Sequence, residues 1–136
     1  MKAVLDAWAL LALLQGEEPA AARVRALLQS AQRQEVELLI SIINLGEVYY
    51  SVGKMRGQLE ADETLDDIRR LPIKILPADD EIVLAAARIK MEFAVSYADA
   101  FAMVAAERFA APLFSGDSEL EALQGRINLE KLSRRR

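Results

Sequence analysis

Apolar positions along this chain alternate between two periods. Residues Ala3, Val4 and Leu5 form a short continuous apolar run, and residues 7–14 follow with helical spacing to a stop at Gly16. Pro19 suits a helix start, and Val24, Leu27, Leu28 and Ala31 repeat on one face of the helix it opens. Residues 37–43, ELLISII, are β-branched and continuous, which predicts a strand covered on both faces. Asn44 and Glu47 then have the spacing of an N-cap and its capping-box partner, opening a helix through Val48, Tyr49 and Val52 that Gly53 and Gly57 loosen. A helix over 59–71 is halted by Pro72, and a strand over 73–76 is closed by Pro77. Asp79 or Asp80 caps a helix to about Lys90, with Ile82, Val83, Ala86 and Ile89 inward, and Ser96 caps another over 97–109. Residues 112–115 read as a short strand, Asp117 opens a helical turn to Leu123, and 127–129 read as a last edge strand. Strands alternating with helices imply crossover connections and a mainly parallel sheet between helical layers, an α/β three-layer sandwich.

Composition narrows the chemistry. The chain has 136 residues, 53% hydrophobic and 28% charged, with no cysteine and no histidine. That length predicts one domain over residues 1–136, and the apolar fraction excludes a disordered chain. Lacking Cys, it has no thiol nucleophile and no thiolate zinc site; lacking His, it has no imidazole base. Reactive groups must be carboxylates, hydroxyls, Lys, Arg or Tyr, and any metal must accept oxygen ligands. The longest apolar run, residues 7–14, falls short of the ~20 residues that cross a bilayer. Asp6 breaks any signal-peptide pattern, so a cytoplasmic location is expected. Net charge is −4, but from Arg126 onward five basic residues face one acid, Glu130. Residues 130–136 therefore read as a basic, mobile tail, compatible with nucleic acid, with plain solvation the leading reading.

Ligands of open parallel sheets bind beyond the carboxyl ends of the strands. Asp6 directly follows the first strand, Glu47 lies just after the second, and Asp117 lies two residues past the strand over 112–115. Asp99 falls in the first turn of the helix capped by Ser96. Each acid alone has an ordinary role in capping a helix or complementing its dipole. Together they differ: carboxylates ~4–6 Å apart repel by roughly 1–4 kcal/mol per pair, which a fold tolerates when something positive sits among them. With no nitrogen or sulfur ligand available, Mg²⁺ or Mn²⁺ is the natural candidate.

The segments VLDAWALLALL, NLGEVYY, SYADAFAMVAA and LFSGDSEL resemble, in order and spacing over essentially the whole chain, the four acidic motifs of PIN-domain nucleases. The compact size is similar to VapC-type toxins of toxin–antitoxin pairs. The resemblance implies an acidic catalytic and metal-binding quartet of Asp6, Glu47, Asp99 and Asp117, with Ser115 as an auxiliary hydroxyl. It departs at Ala7-Trp8, where many members carry a hydroxyl residue. Glu119 is a candidate auxiliary acid, or simply an exposed helical Glu. The activity implied is metal-assisted hydrolysis of single-stranded RNA to 5′-phosphate and 3′-hydroxyl ends, with metal at Asp6, Asp99 and Asp117 polarising the phosphate. Glu47 would ligate a second ion or orient water. Lys54, Arg56 and the run Arg134, Arg135, Arg136 are candidate phosphate contacts at the rim.

Adjacent Tyr49 and Tyr50 lie ~100° apart around a helix and cannot both enter one core. With Met55 they form a candidate partner surface; the alternative is a helix buried all round. The resemblance implies an antitoxin in that groove, presenting a basic side chain to the acids, and a homodimer. Other readings are a housekeeping RNA-processing nuclease with the same site, a non-catalytic binding domain, or a phosphorylated signalling receiver. The last lacks the Lys it needs after a late strand.

Overall fold

The structure is a computed structural model and describes residues 1–135. Five strands form one sheet: β1 (Lys2–Leu5), β2 (Glu37–Ser41), β3 (Ile73–Leu76), β4 (Leu113–Ser115) and β5 (Leu129–Lys131). Their order is β3-β2-β1-β4-β5, and every neighbouring pair is parallel. Helices α1 (Ala7–Leu14), α2 (Ala20–Gln32), α3 (Ile42–Arg56), α4 (Gln58–Arg69), α5 (Asp80–Glu92) and α6 (Tyr97–Arg108) cover the sheet, with a 3₁₀ helix (Ser118–Leu123) before β5.

Successive side chains of a strand point to opposite faces, so one apolar run feeds two cores. Ala3, Leu5, Leu38 and Ile40 pack with Leu10, Val24, Val48 and Ile68 from α1 to α4. Val4, Leu39 and Leu113 pack on the other face with Ile89 of α5, Met103 of α6 and Leu120 of the 3₁₀ helix. The sandwich expected from the alternating pattern is therefore the observed one. The chain leaves β1 toward β2 and β3, then returns to place β4 on the other side of β1. That reversal opens a crevice at the carboxyl ends of β1 and β4, where Asp6 and Asp117 fall.

Three expectations require correction. The second strand ends at Ser41, not at residue 43, and Ile42 and Ile43 begin α3. Ser41 is extended and its Oγ accepts the Ile43 N–H at 3.1 Å, so Ser41, rather than Asn44, caps the helix. Apolar β-branched residues are buried in either conformation; the hydroxyl that satisfies a free N–H decides where the strand stops. The last strand lies at Leu129–Lys131 rather than at 127–129, because β4 pairs Leu113 with Leu129 and Ser115 with Lys131. Ile127 is buried from the preceding loop.

The third concerns the basic segment. Glu130 and Lys131 are in the sheet. Leu132 is buried and donates its N–H to Ser115 O at 2.9 Å. Ser133 O accepts from Ala20 N at 2.9 Å, and Arg135 N donates to Glu18 O at 2.8 Å. Arg134 pairs with Glu17 at 3.0 Å and lies over the Trp8 ring. The backbone through Arg135 is thus fastened by hydrogen bonds, and not a mobile tail; Arg136 lies outside the described residues. Among the described residues no helix is long and apolar enough to cross a membrane.

Candidate active site

Asp6 is the N-cap of α1: its extended backbone leaves β1, and Oδ1 accepts the Ala9 N–H at 3.0 Å. Asp99 is in the first turn of α6, whose N-cap Ser96 accepts the Asp99 N–H on Oγ at 3.0 Å. Asp117 caps the 3₁₀ helix through Glu119 N at 3.0 Å, while its own N–H donates to Ser115 Oγ at 3.0 Å. Glu47 rises from α3 and is held by Asn44, whose amide donates to Glu47 Oε1 at 3.1 Å and to Ala98 O at 3.1 Å. Local hydrogen bonding accordingly explains how Asp6, Asp117 and Glu47 are oriented, the first two as helix caps. It leaves open why so many converge.

Electrostatics show the convergence. Burial pushes the Asp6 carboxyl up to about 7, and the charges of Asp117 and Glu47 add to the rise. The Ser115 hydroxyl and the Ala9 amide oppose it. Asp99 is pushed up to about 8, first by burial, then by the adjoining Asp117 carboxyl and the charge of Asp6. Glu47 is raised by burial and by Asp117, against the Asn44 hydrogen bond. Asp6, Glu47 and Asp99 therefore all feel Asp117 across the crevice, and Asp6 also feels Glu47 and is felt by Asp99. Asp99, Asp117 and Glu119 each bring a carboxylate oxygen within 4.8 Å of the others.

One atom is decisive. Asp99 is only 6% exposed, and its Oδ2 is buried without any donor among the described residues. The neighbouring Asp117 carboxyl can relieve it only by sharing a proton. A divalent cation would relieve it better, and the donor set, oxygen throughout, suits a hard ion such as Mg²⁺ or Mn²⁺. The residues present fit such an ion.

The other candidates divide. Ser115, 1% exposed at the end of β4, touches both Asp6 and the Asp117 amide. Tyr49 is half-buried, and its hydroxyl donates to Asp62 of α4, so it braces two helices. Tyr50 and Met55 are exposed, at 53% and 57%. Lys54 lies over the Tyr50 ring and Arg56 pairs with Glu60 at 3.5 Å. Arg134 pairs with Glu17 and lies over the Trp8 ring.

Sequence reasoning missed two contributors. Asn44, fully buried, clamps Glu47 to the start of α6 rather than capping its own helix; its i, i+3 spacing to Glu47 carried that signal too. Trp8 lies against Gly116, where an added Cβ would sit 2.3 Å from the indole. Trp8 thereby packs on the loop that carries Ser115 and Asp117.

Comparison with known proteins identifies the fold and the family. No curated protein sequence matches the chain. Among solved structures, VapBC2 from Rickettsia felis, bound to a DNA fragment from its promoter, is 16% identical with a TM-score of 0.74, covering 98% of this chain and 100% of that one. DNA-bound VapBC from Salmonella typhimurium is 19% identical with a TM-score of 0.71, covering 96% and 98%. The sarcin-ricin loop cleaving toxin VapC20 from Mycobacterium tuberculosis is 13% identical with a TM-score of 0.71, covering 90% and 95%. At such identities the likeness establishes the fold. The model of the PIN domain matches residues 3–125, nearly the whole of the sandwich and all four acids, and the chain belongs to the PIN domain family.

Proposed function

We propose that this protein is a Mg²⁺- or Mn²⁺-dependent endoribonuclease acting on single-stranded RNA in the cytoplasm, and the toxin of a toxin–antitoxin pair. The observation that carries the reading is the buried, donor-less Asp99 Oδ2 facing a crevice shared with Asp6, Glu47 and Asp117. Asp6, Asp99 and Asp117 would hold the cation. When bound, it would supply Lewis-acid polarisation of a scissile phosphate and make an attacking water more acidic. Ser115 fixes the Asp6 carboxylate and the Asp117 loop. Glu47, kept in place by Asn44 and raised by burial and by the charge of Asp117, is the carboxylate suited to accept a proton from water. Single strands suit an acid-lined crevice because they bend to it without melting.

The toxin assignment is supported by the fold likeness to VapBC complexes and to a toxin that cleaves RNA. We assign exposed Tyr50 and Met55 and half-buried Tyr49, all on α3, as contacts for the antitoxin. We assign the homodimer to the same reading. The experiment has two arms. Purified protein with Mn²⁺ should cut single-stranded RNA to 5′-phosphate and 3′-hydroxyl ends. Co-expression with the product of a neighbouring small gene should give a complex and relieve growth arrest. Cleavage without complex or arrest would leave a housekeeping nuclease; a complex without cleavage would leave a binding domain.

A further inference from the structure

Ser96 and Asp99 have the spacing of a capping box, in which the acid three residues on accepts the N–H of the cap residue. Half of that box is built: Ser96 Oγ accepts the Asp99 N–H. The reciprocal half is not. The Ser96 N–H goes instead to Glu119 Oε2 at 3.2 Å, from the 3₁₀ helix 23 residues further along. The Glu119 backbone is tied to Asp117, since its N–H donates to Asp117 Oδ1 at 3.0 Å. Asp99, relieved of capping, keeps a buried Oδ2 with no donor, beside Asp6 and Asp117.

We infer that Glu119 is a positioning residue: it caps α6 at Ser96 in place of Asp99, and so frees the Asp99 carboxylate for the divalent cation. This rests on the metal-site reading above. The rival role is direct ligation, because the Glu119 carboxylate also lies within 4.8 Å of those of Asp99 and Asp117. The two roles ask different things of the side chain. A cap needs an acceptor oxygen, which a glutamine amide supplies; a ligand for a hard cation needs the charge.

The test uses the full-length, metal-free protein, Mn²⁺ alone as titrant in calorimetry, and the Ser96 amide proton in NMR. Glu119 is exposed, so its variants should fold. Glu119→Gln should keep Mn²⁺ affinity within about threefold, while Glu119→Ala should lose about tenfold or more as Asp99 turns back to Ser96. Without metal, Asp99→Ala should leave the Ser96 amide shift unchanged. The double variant Glu119→Ala/Asp99→Ala should move it upfield as the acceptor disappears. Equal losses in the Gln and Ala variants would overturn the inference in favour of a ligand. A Ser96 shift that moves in Asp99→Ala alone would overturn it by making Asp99 the cap. Wild-type protein that takes up no Mn²⁺ but shows the expected amide pattern would instead overturn the metal-site reading and leave the exchange of caps standing.

Discussion

Asp6 and Asp99 are carboxyls whose folded state favours the proton, near 7 and 8 against an ordinary 3.8. An acid raised in this way contributes full stability below its unfolded value and loses it as pH climbs through the folded one. The metal-free protein should therefore lose stability steadily between about pH 4 and pH 8, and Mn²⁺ should restore more of it at pH 8 than at pH 5. Melting curves at several pH values, with and without metal, check both signs; a flat metal-free profile would contradict the clustering. Asp6→Asn and Asp99→Asn should abolish RNA cleavage yet melt as high as the parent or higher without metal. Each kcal/mol of relieved repulsion is worth about 3–6 °C in a chain this size. A pure cap would behave otherwise, since Asn caps nearly as well as Asp and activity would survive. The four acids were legible in the sequence because each falls just past a strand or at a helix start. The donor-less oxygen of Asp99 was not, because capping-box spacing predicts a partner that Glu119 has taken over.

At the scale of elements, the start of α3 shows what periodicity leaves undecided. The run ELLISII is equally apolar as strand or helix, so its boundary was set by whichever polar side chain could satisfy the first free N–H. Ser41 and Asn44 both qualified by type, and each has a polar residue three positions on. Only packing against α6, which gives Asn44 the Ala98 carbonyl, separates them. Ser41→Ala should cost about 1 kcal/mol as a lost cap. Asn44→Ala should cost about 1–3 kcal/mol, because Ala98 O loses its donor, and it should depress cleavage by releasing Glu47. Denaturant titration paired with cleavage rates distinguishes the two; equal effects on both readouts would place Asn44 among ordinary caps. The loop after β4 offers a second check. Gly116→Ala puts a methyl against Trp8 and should cost about 1–3 kcal/mol. Trp8 is the sole tryptophan, so its fluorescence should shift with the same variant. Unchanged emission would mean that the indole does not pack on that loop.

Across the whole molecule, the α/β sandwich was legible because strand-like and helix-like runs alternate along the full length. The order of strands was not written in those runs; it places β4 beside β1 and so decides which acids meet. Charge misled at the carboxyl end. A basic run reads as solvated, yet Leu132 is buried and Ser133 and Arg135 hydrogen-bond the start of α2 and the residue before Pro19. Removing residues 132–136 should lower stability by about 2–4 kcal/mol, from one buried leucine and the lost hydrogen bonds, whereas a free tail would cost nothing. Equilibrium unfolding of the shortened chain measures it.

The central claim, that the four acids form a divalent-metal nuclease centre, meets its most direct test in one titration. Metal-free protein is mixed with a single-stranded RNA, and cleavage is followed as Mn²⁺ is raised, for the parent and for Asp99→Asn in parallel. The parent should be silent in chelator and gain activity that saturates with Mn²⁺, and the variant should stay silent throughout. Zinc should substitute poorly, since the site has neither nitrogen nor sulfur to offer. Cleavage that persists in excess chelator, or that Asp99→Asn matches, would contradict the claim.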